Sequence, residues 1–328
     1  MRIVFTGIDT KPTNSLAFML RSIGHEVFML SDKALEDLRK RGYTGGVDWS
    51  LLERMGYSRP AIPYTDLTEE PADLFIDLKL KDLESYLAIF PRAQGALYVI
   101  NGGWDDYEDY GLHYPTITNN FWIKGNVFKM WSPPAEGFEE YKPKEIPGPE
   151  SPMGLLHNAK NWGFGSILDE VIAKTGLRVF GDYGSPAGKI KNTEVSGYLE
   201  RASCFVHLKA SDCPGWALYE AFATATPVVV TELFIKRMKF EELYKDGETC
   251  LTWGKSAFKM DDEKHISEFI DKEKDKMIKE ICECVERLKD PKENRRIGMA
   301  GYQRWKELTS WTDDKNAEFA KFMKKNFS

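Results

Sequence analysis

The stretch Ser211-Asp-Cys-Pro-Gly215-Trp-Ala-Leu-Tyr-Glu220-Ala-Phe-Ala-Thr-Ala-Thr-Pro-Val-Val-Val-Thr-Glu232 decides how this chain is read. It joins two short apolar runs, 204–208 and 227–231, that read as buried strands. Pro214-Gly215 permits a tight turn and close approach of a ligand to the backbone. A helix is predicted over 216–224. Its first amides lack intrahelical partners and carry the positive end of the dipole, which makes a site for a diphosphate. Glu220 lies about one turn in, where a carboxylate accepts two hydrogen bonds from a ribose diol. Asp212, in the preceding loop, reaches toward hydroxyls of a sugar beyond the diphosphate. One loop–helix unit is thus expected to hold sugar, diphosphate and ribose in order.

Strands and helices alternate on either side of this unit. In the first half, 2–6, 25–30, 73–78 and 96–100 read as strands, and 13–24, a stretch reaching Arg41, and 81–90 as helices. The strand at 96–100 runs into Asn101-Gly102-Gly103-Trp104, residues placed where a ligand of such a sheet would lie. Residues 132–152 contain Pro133, Pro134, Pro143, Pro147, Pro149 and Pro152 with little apolar periodicity, and read as a linker. The alternation restarts with strands at 153–157 and 177–180 and helices at 166–174 and 194–202. Everything beyond 231 is predicted helical, over 263–289, about 291–307 and 312–325. The pattern specifies α/β architecture with two doubly wound parallel sheets, whose ligands bind beyond the carboxyl ends of the strands.

Length and composition agree with this. A chain of 328 residues with 42% hydrophobic residues suits two domains of roughly 150 residues. The net charge of −6 provides no overall basic field for nucleic acid or anionic lipid. Cys204, Cys213, Cys250, Cys282 and Cys284 are scattered without metal-ligand spacing, so free thiols in a reducing cytoplasm are expected, and no metal site. The N-terminus reads as a strand rather than a signal peptide, and no run approaches the roughly 20 apolar residues of a transmembrane segment.

The central segment resembles the acidic-x7-Glu motif of retaining glycosyltransferases of the GT-B fold, in their large family 4. Gly215, Glu220-Ala-Phe-Ala223 and Pro227-Val-Val229 match its blocks, and Asp212 replaces the usual first Glu. The stretch 194–209 resembles the helix and strand that precede the motif. Gly154-Leu-Leu-His-Asn-Ala-Lys160-Asn-Trp-Gly163 resembles the basic loop that clamps the diphosphate, with Lys160 as its clear cation and Lys189 or Lys191 available as a partner.

The resemblance implies two Rossmann-like domains facing a cleft: an acceptor domain at 1–132, a linker at 133–152, a donor domain at 153–305, and a C-terminal helix, 306–328, returning to the first domain. It implies transfer of a sugar with retention from a nucleotide-diphosphate sugar, taken as a UDP-sugar such as UDP-glucose, with no metal or other cofactor. The expected catalytic residues are Asp212, Glu220 and Lys160. The donor set is His157, Asn158, Lys160, Lys189, Asp212, Gly215, Trp216, Ala217 and Glu220. The acceptor is expected to be a saccharide or another small or lipid-linked hydroxyl compound.

Two alternatives have their own sequence features. A phage-type DNA glycosyltransferase acting on hydroxymethylated bases shares the GT-B architecture and compact size, and would use Arg39-Lys-Arg41 and Lys236-Arg237-Lys239. A non-catalytic nucleotide-sugar-binding module would carry the same motif. Tyr183-Gly-Ser-Pro-Ala-Gly-Lys189-Ile190 fails as a P-loop at Tyr183 and Ile190, and Gly163-Phe-Gly165 lacks the third glycine of a dinucleotide fingerprint. His113 reads as structural. The aromatic stretch from Trp104 to Trp131 is equally suited to packing and to stacking on an acceptor.

Overall fold

The computed structural model describes residues 1–6, 10–46, 49, 53, 59–66, 72–99, 108–134, 138, 140–148, 150–155, 165–181, 187–209, 215–254 and 266–327. These fall into two compact units: Met1–Gly137 with Thr309–Ser328, and Phe138–Leu308.

The first unit is built on a parallel sheet of β1 (Arg2–Phe5), β2 (Glu26–Leu30), β3 (Tyr64–Thr65), β4 (Leu74–Asp77), β5 (Gln94–Val99), β6 (Tyr114–Thr118) and β7 (Gly125–Lys129). Their order is β3-β2-β1-β4-β5-β6-β7. The chain therefore reverses its direction of growth between β1 and β4, the place where ligands of such sheets bind. In β1 the side chains of Ile3 and Phe5 enter one core and Val4 another, so both faces are covered. That double burial is why the strand is a continuous apolar run rather than an alternating one. The helices Thr10–Ser22 and Leu80–Ile89 connect strands of this sheet.

The C-terminal helix Asp313–Phe327 belongs to this unit. Phe319, Met323 and Phe327, four residues apart, form its buried stripe. Phe319 and Phe322 pack on Phe128 of β7 with ring centroids 5.0 and 5.6 Å apart. Full burial of one such phenylalanine is worth roughly 1.5–3 kcal/mol.

The second unit carries β8 (Met153–Leu155), β9 (Arg178–Phe180), β10 (Phe205–His207), β11 (Val228–Thr231) and β12 (Leu251–Trp253), all parallel, in the order β12-β11-β10-β8-β9. Its reversal lies between β8 and β10. The helix Gly165–Thr175 leads from β8 to β9 and stops where Gly176 takes a φ of 71°. The helix Trp216–Ala223 leads from β10 to β11. Behind it runs the helix Pro291–Thr309, packed so closely that a Cβ on Gly298 would sit 2.2 Å from the Ala225 carbonyl oxygen.

Several sequence expectations change. The stretch beyond 231 is not wholly helical, because Leu251–Trp253 is a strand. It has three residues, all buried, and is too short to show a period. Two strands, β6 and β7, occupy part of the aromatic stretch. Of its aromatic residues, Tyr110 and Trp131 are buried, while Tyr114 and Trp122 pack against the core. The division between the two units falls inside the proline-rich segment, between Gly137 and Phe138. Among the described residues no helix is long and apolar enough to cross a membrane.

Asp77 ends β4 beside the reversal point of the first sheet and is only 2% exposed. Tyr43 donates its hydroxyl to Oδ2 at 2.5 Å, and the Leu78 and Lys79 amides donate to Oδ1. Burial outweighs these donors and pushes the carboxyl up to about 6. The folded protein thus holds this proton more tightly than the unfolded chain does. The stability it brings is full below the ordinary value of 3.8 and is lost as pH rises through about 6. Asp77→Asn is expected to remove a pH-dependent loss of about 3 kcal/mol. Chemical denaturation of both proteins at pH 4 and pH 7 measures it: the variant should gain relative to the wild type at the higher pH.

Candidate functional site

The carboxyl ends of β8 and β10 flank the reversal point of the second sheet, and the helix Trp216–Ala223 starts just beyond β10. Gly215 is its N-cap, with φ 73° and ψ 97°. Only glycine adopts that backbone without strain, and a Cβ there would also lie 2.7 Å from Leu218 Cδ1. Having no side chain, Gly215 supplies no capping oxygen to the first-turn amides. Trp216 and Ala217 are half-buried at this helix start. Trp216 packs against Phe138 and Tyr219 at centroid distances of 5.8 and 5.2 Å.

Glu220 is 5% exposed. Tyr141, itself buried, donates its hydroxyl to Glu220 Oε1 at 3.0 Å. The end of the helix is closed by threonines. Thr224 Oγ1 bonds the Glu220 and Ala221 carbonyls and lies 2.8 Å from Thr226 Oγ1, which donates to the Leu199 carbonyl. These bonds hold Ala225 at a left-handed φ of 52°.

Lys144 joins the same region. Its amide donates to the Thr224 carbonyl, and its Nζ donates to Leu199 O at 3.2 Å and Ala202 O at 2.7 Å. The two carbonyls stand at the C-terminal end of the helix Val195–Arg201, the negative end of its dipole. Burial pushes the Lys144 ammonium down to about 8.

Of the sequence-derived site residues, Gly215, Trp216, Ala217 and Glu220 come together on one helix. Lys189 is exposed and follows β9, which is paired to β8. Asp212, His157, Asn158 and Lys160 lie outside the described residues, as do Asn101, Gly102, Gly103 and Trp104. Residues that sequence reasoning missed are Tyr141 and Lys144. Both lie in the proline-rich segment, where no periodicity marks them. Lys209 was also given no role; it is 8% exposed, two residues beyond β10, and a lysine just before the acidic motif was the available signal.

Arg39, Lys40, Arg41 and Lys236 of the two basic clusters make contacts within the chain. Arg39 donates to the Gly45 and Gly46 carbonyls, Lys40 pairs with Glu36 and Asp37, and Arg41 stacks over Phe90. Lys236 pairs with Glu232. His113 is exposed at the end of a short helix. Cys204, Cys250, Cys282 and Cys284 are free thiols, and burial pushes Cys204 up to about 12. Among the described residues no group of His, Cys, Asp and Glu is arranged to hold a metal.

No family model and no curated protein matches this sequence. Solved structures do match its fold. Anabaena HepE in complex with UDP aligns with a TM-score of 0.63 at 12% identity, covering 99% of this chain and 100% of that one. Sucrose-phosphate synthase from Thermosynechococcus elongatus aligns at 0.59 and 12% identity, covering 99% and 98%. A glycosyltransferase from Rickettsia africae aligns at 0.56 and 8% identity, covering 98% of each chain. With two Rossmann-like parallel α/β units and these neighbours over nearly its whole length, the chain has the GT-B fold.

Gly215→Ala is expected to lower stability by about 1–3 kcal/mol, through the positive φ and the clash with Leu218. A drop in melting temperature measures the effect, and Gly215→Asn, which tolerates positive φ better, should lose less.

Proposed function

We propose that the protein is a glycosyltransferase that moves a sugar from a nucleotide-diphosphate sugar to an acceptor hydroxyl. The observation that carries this reading is the Gly215–Glu220 unit. It places a helix start whose N-cap residue has no side chain and a buried carboxylate bonded by Tyr141 about one turn apart, next to the reversal point of the second sheet. The sequence match to the acidic-x7-Glu motif falls on the same residues. The fold likeness to HepE in complex with UDP-glucose supports a UDP-sugar as donor.

In this reading Glu220 accepts hydrogen bonds from the ribose diol. The amides at the start of the helix, with Lys160 and Lys189, receive the diphosphate and stabilise the negative charge that grows on it as the glycosidic bond breaks. Asp212, His157 and Asn158 contact the transferred sugar, and Asn101, Gly102, Gly103 and Trp104 receive the acceptor, a saccharide or another small or lipid-linked hydroxyl compound. The domains take the roles assigned by the motif: acceptor binding at 1–132, donor binding at 153–305, and a helix at 306–328 on the acceptor domain. Transfer proceeds with retention and without a metal, in a cytoplasmic setting. The internal pairing of Arg39, Lys40 and Lys236 weighs against a DNA acceptor.

A thermal-shift series with UDP, UDP-glucose, ADP and GDP tests the reading. A ligand at a hundred times its Kd stabilises the fold by about 2.7 kcal/mol. UDP and UDP-glucose are expected to raise the melting temperature, and Glu220→Gln to diminish the rise by weakening the ribose contact. If none of the four ligands shifts the transition, the nucleotide-sugar reading falls. Donor turnover by the wild type, absent in Asp212→Asn with the fold intact, separates an enzyme from a binding module.

A further inference from the structure

We propose that Tyr141 is a positioning residue for Glu220, and that the segment carrying it, 138–148, is a strap that sets how the protein recognises the ribose of its nucleotide. This rests on the role given to Glu220 above.

The geometry is a register between strap and helix. Trp216, Glu220 and Thr224 are four residues apart and so share one face of the helix. The strap reaches each of them in turn. Phe138 packs on Trp216 at 5.8 Å, Tyr141 bonds Glu220 at 3.0 Å, and the Lys144 amide bonds the Thr224 carbonyl at 3.1 Å. Contacts three residues apart on the strap thus meet residues four apart on the helix, in the same direction.

The strap is anchored beyond the helix as well. Lys144 Nζ ties it to the Leu199 and Ala202 carbonyls, and Arg295 donates to the Glu145 carbonyl at 2.5 Å. Gly148 lies against the chain at Arg201 and Ala202, where a Cβ would meet the Ala202 carbonyl oxygen at 2.2 Å. Phe138 also stacks near Tyr141 and Trp305, with centroids 5.4 and 6.1 Å away. The Tyr141 ring is therefore fixed by its neighbours before its hydroxyl is considered.

The chemistry follows from the carboxylate. Its oxygens offer about four acceptor positions. A hydrogen bond from a fixed donor to Oε1 occupies one of them and biases the plane of the group, and with it the direction of the others. A diol is recognised by two hydrogen bonds at set angles, so its binding depends on that plane more than binding of a diphosphate does. Burial, then the nearby Glu140 charge, raise the Tyr141 hydroxyl above its ordinary value, so it remains a donor at neutral pH.

The test compares UDP with 2′-deoxy-UDP by calorimetry on the full chain. In the wild type the missing hydroxyl should cost about tenfold in Kd, the value of one hydrogen bond to a charged group. Tyr141→Phe keeps the ring and its packing and removes only the donor. Its preference for UDP over 2′-deoxy-UDP is expected to fall to about twofold, while the gain of UDP over uridine, which reports the diphosphate, stays as in the wild type. An unchanged ribose preference in a folded Tyr141→Phe overturns the positioning role. A parallel fall in both ratios makes Tyr141 a structural residue only and overturns it too. Glu220→Gln separates the two levels. If that variant keeps the full wild-type preference, Glu220 does not hold the ribose and the reading on which the strap's role rests fails. If Glu220→Gln loses the preference while Tyr141→Phe keeps it, only the strap proposal fails.

Discussion

A carboxylate taken almost wholly out of water has to be met by donors, and around Glu220 that requirement organises the surroundings. It sits on a helix whose neighbours on either side are Leu218, Tyr219, Ala221 and Phe222, all buried. Replacing it with an apolar residue would suit packing alone. Instead a tyrosine from 79 positions earlier in the chain is brought to it, and the segment around that tyrosine is pinned at Trp216, Thr224, Leu199 and Ala202. The cost of burying an acid is offset by a second segment whose own order depends on the helix.

The same economy appears at the end of that helix. Ala225 occupies a left-handed conformation usually left to glycine, and the Thr224–Thr226 pair supplies the hydrogen bonds that hold it there. Gly298 of the helix Pro291–Thr309 then fits directly over the Ala225 carbonyl. A small residue on the supporting helix, rather than at the turn, is what lets the chain close behind the helix Trp216–Ala223. The first unit has a buried acid of its own, Asp77 at the end of β4, with Tyr43 as its hydroxyl donor.

Much of the architecture was legible in the sequence because parallel strands buried on both faces need continuous apolar runs. Arg2–Phe5 and Val228–Thr231 are such runs, and they separate cleanly from the amphipathic helices around them. The strands at Tyr114–Thr118 and Gly125–Lys129 were not legible. The first contains a proline and buries two threonines; the second is the edge of the sheet and carries Gly, Asn and Lys. Neither resembles an apolar run, since an edge strand has solvent on one side and a buried threonine can satisfy its hydroxyl locally, as Thr118 does on the Val99 carbonyl.

The sequence by itself determined the α/β class, the turn at Gly215 and the helix that follows it, because each is set by a local rule: apolar periodicity, the backbone freedom of glycine, and the polarity of a helix start. Only the tertiary structure decided what surrounds Glu220. Tyr141 and Lys144 lie in a proline-rich stretch whose composition reads as a connector, and no local pattern marks a residue whose hydroxyl bonds a helix far along the chain. That bond exists because the fold brings the strap alongside Trp216, Glu220 and Thr224.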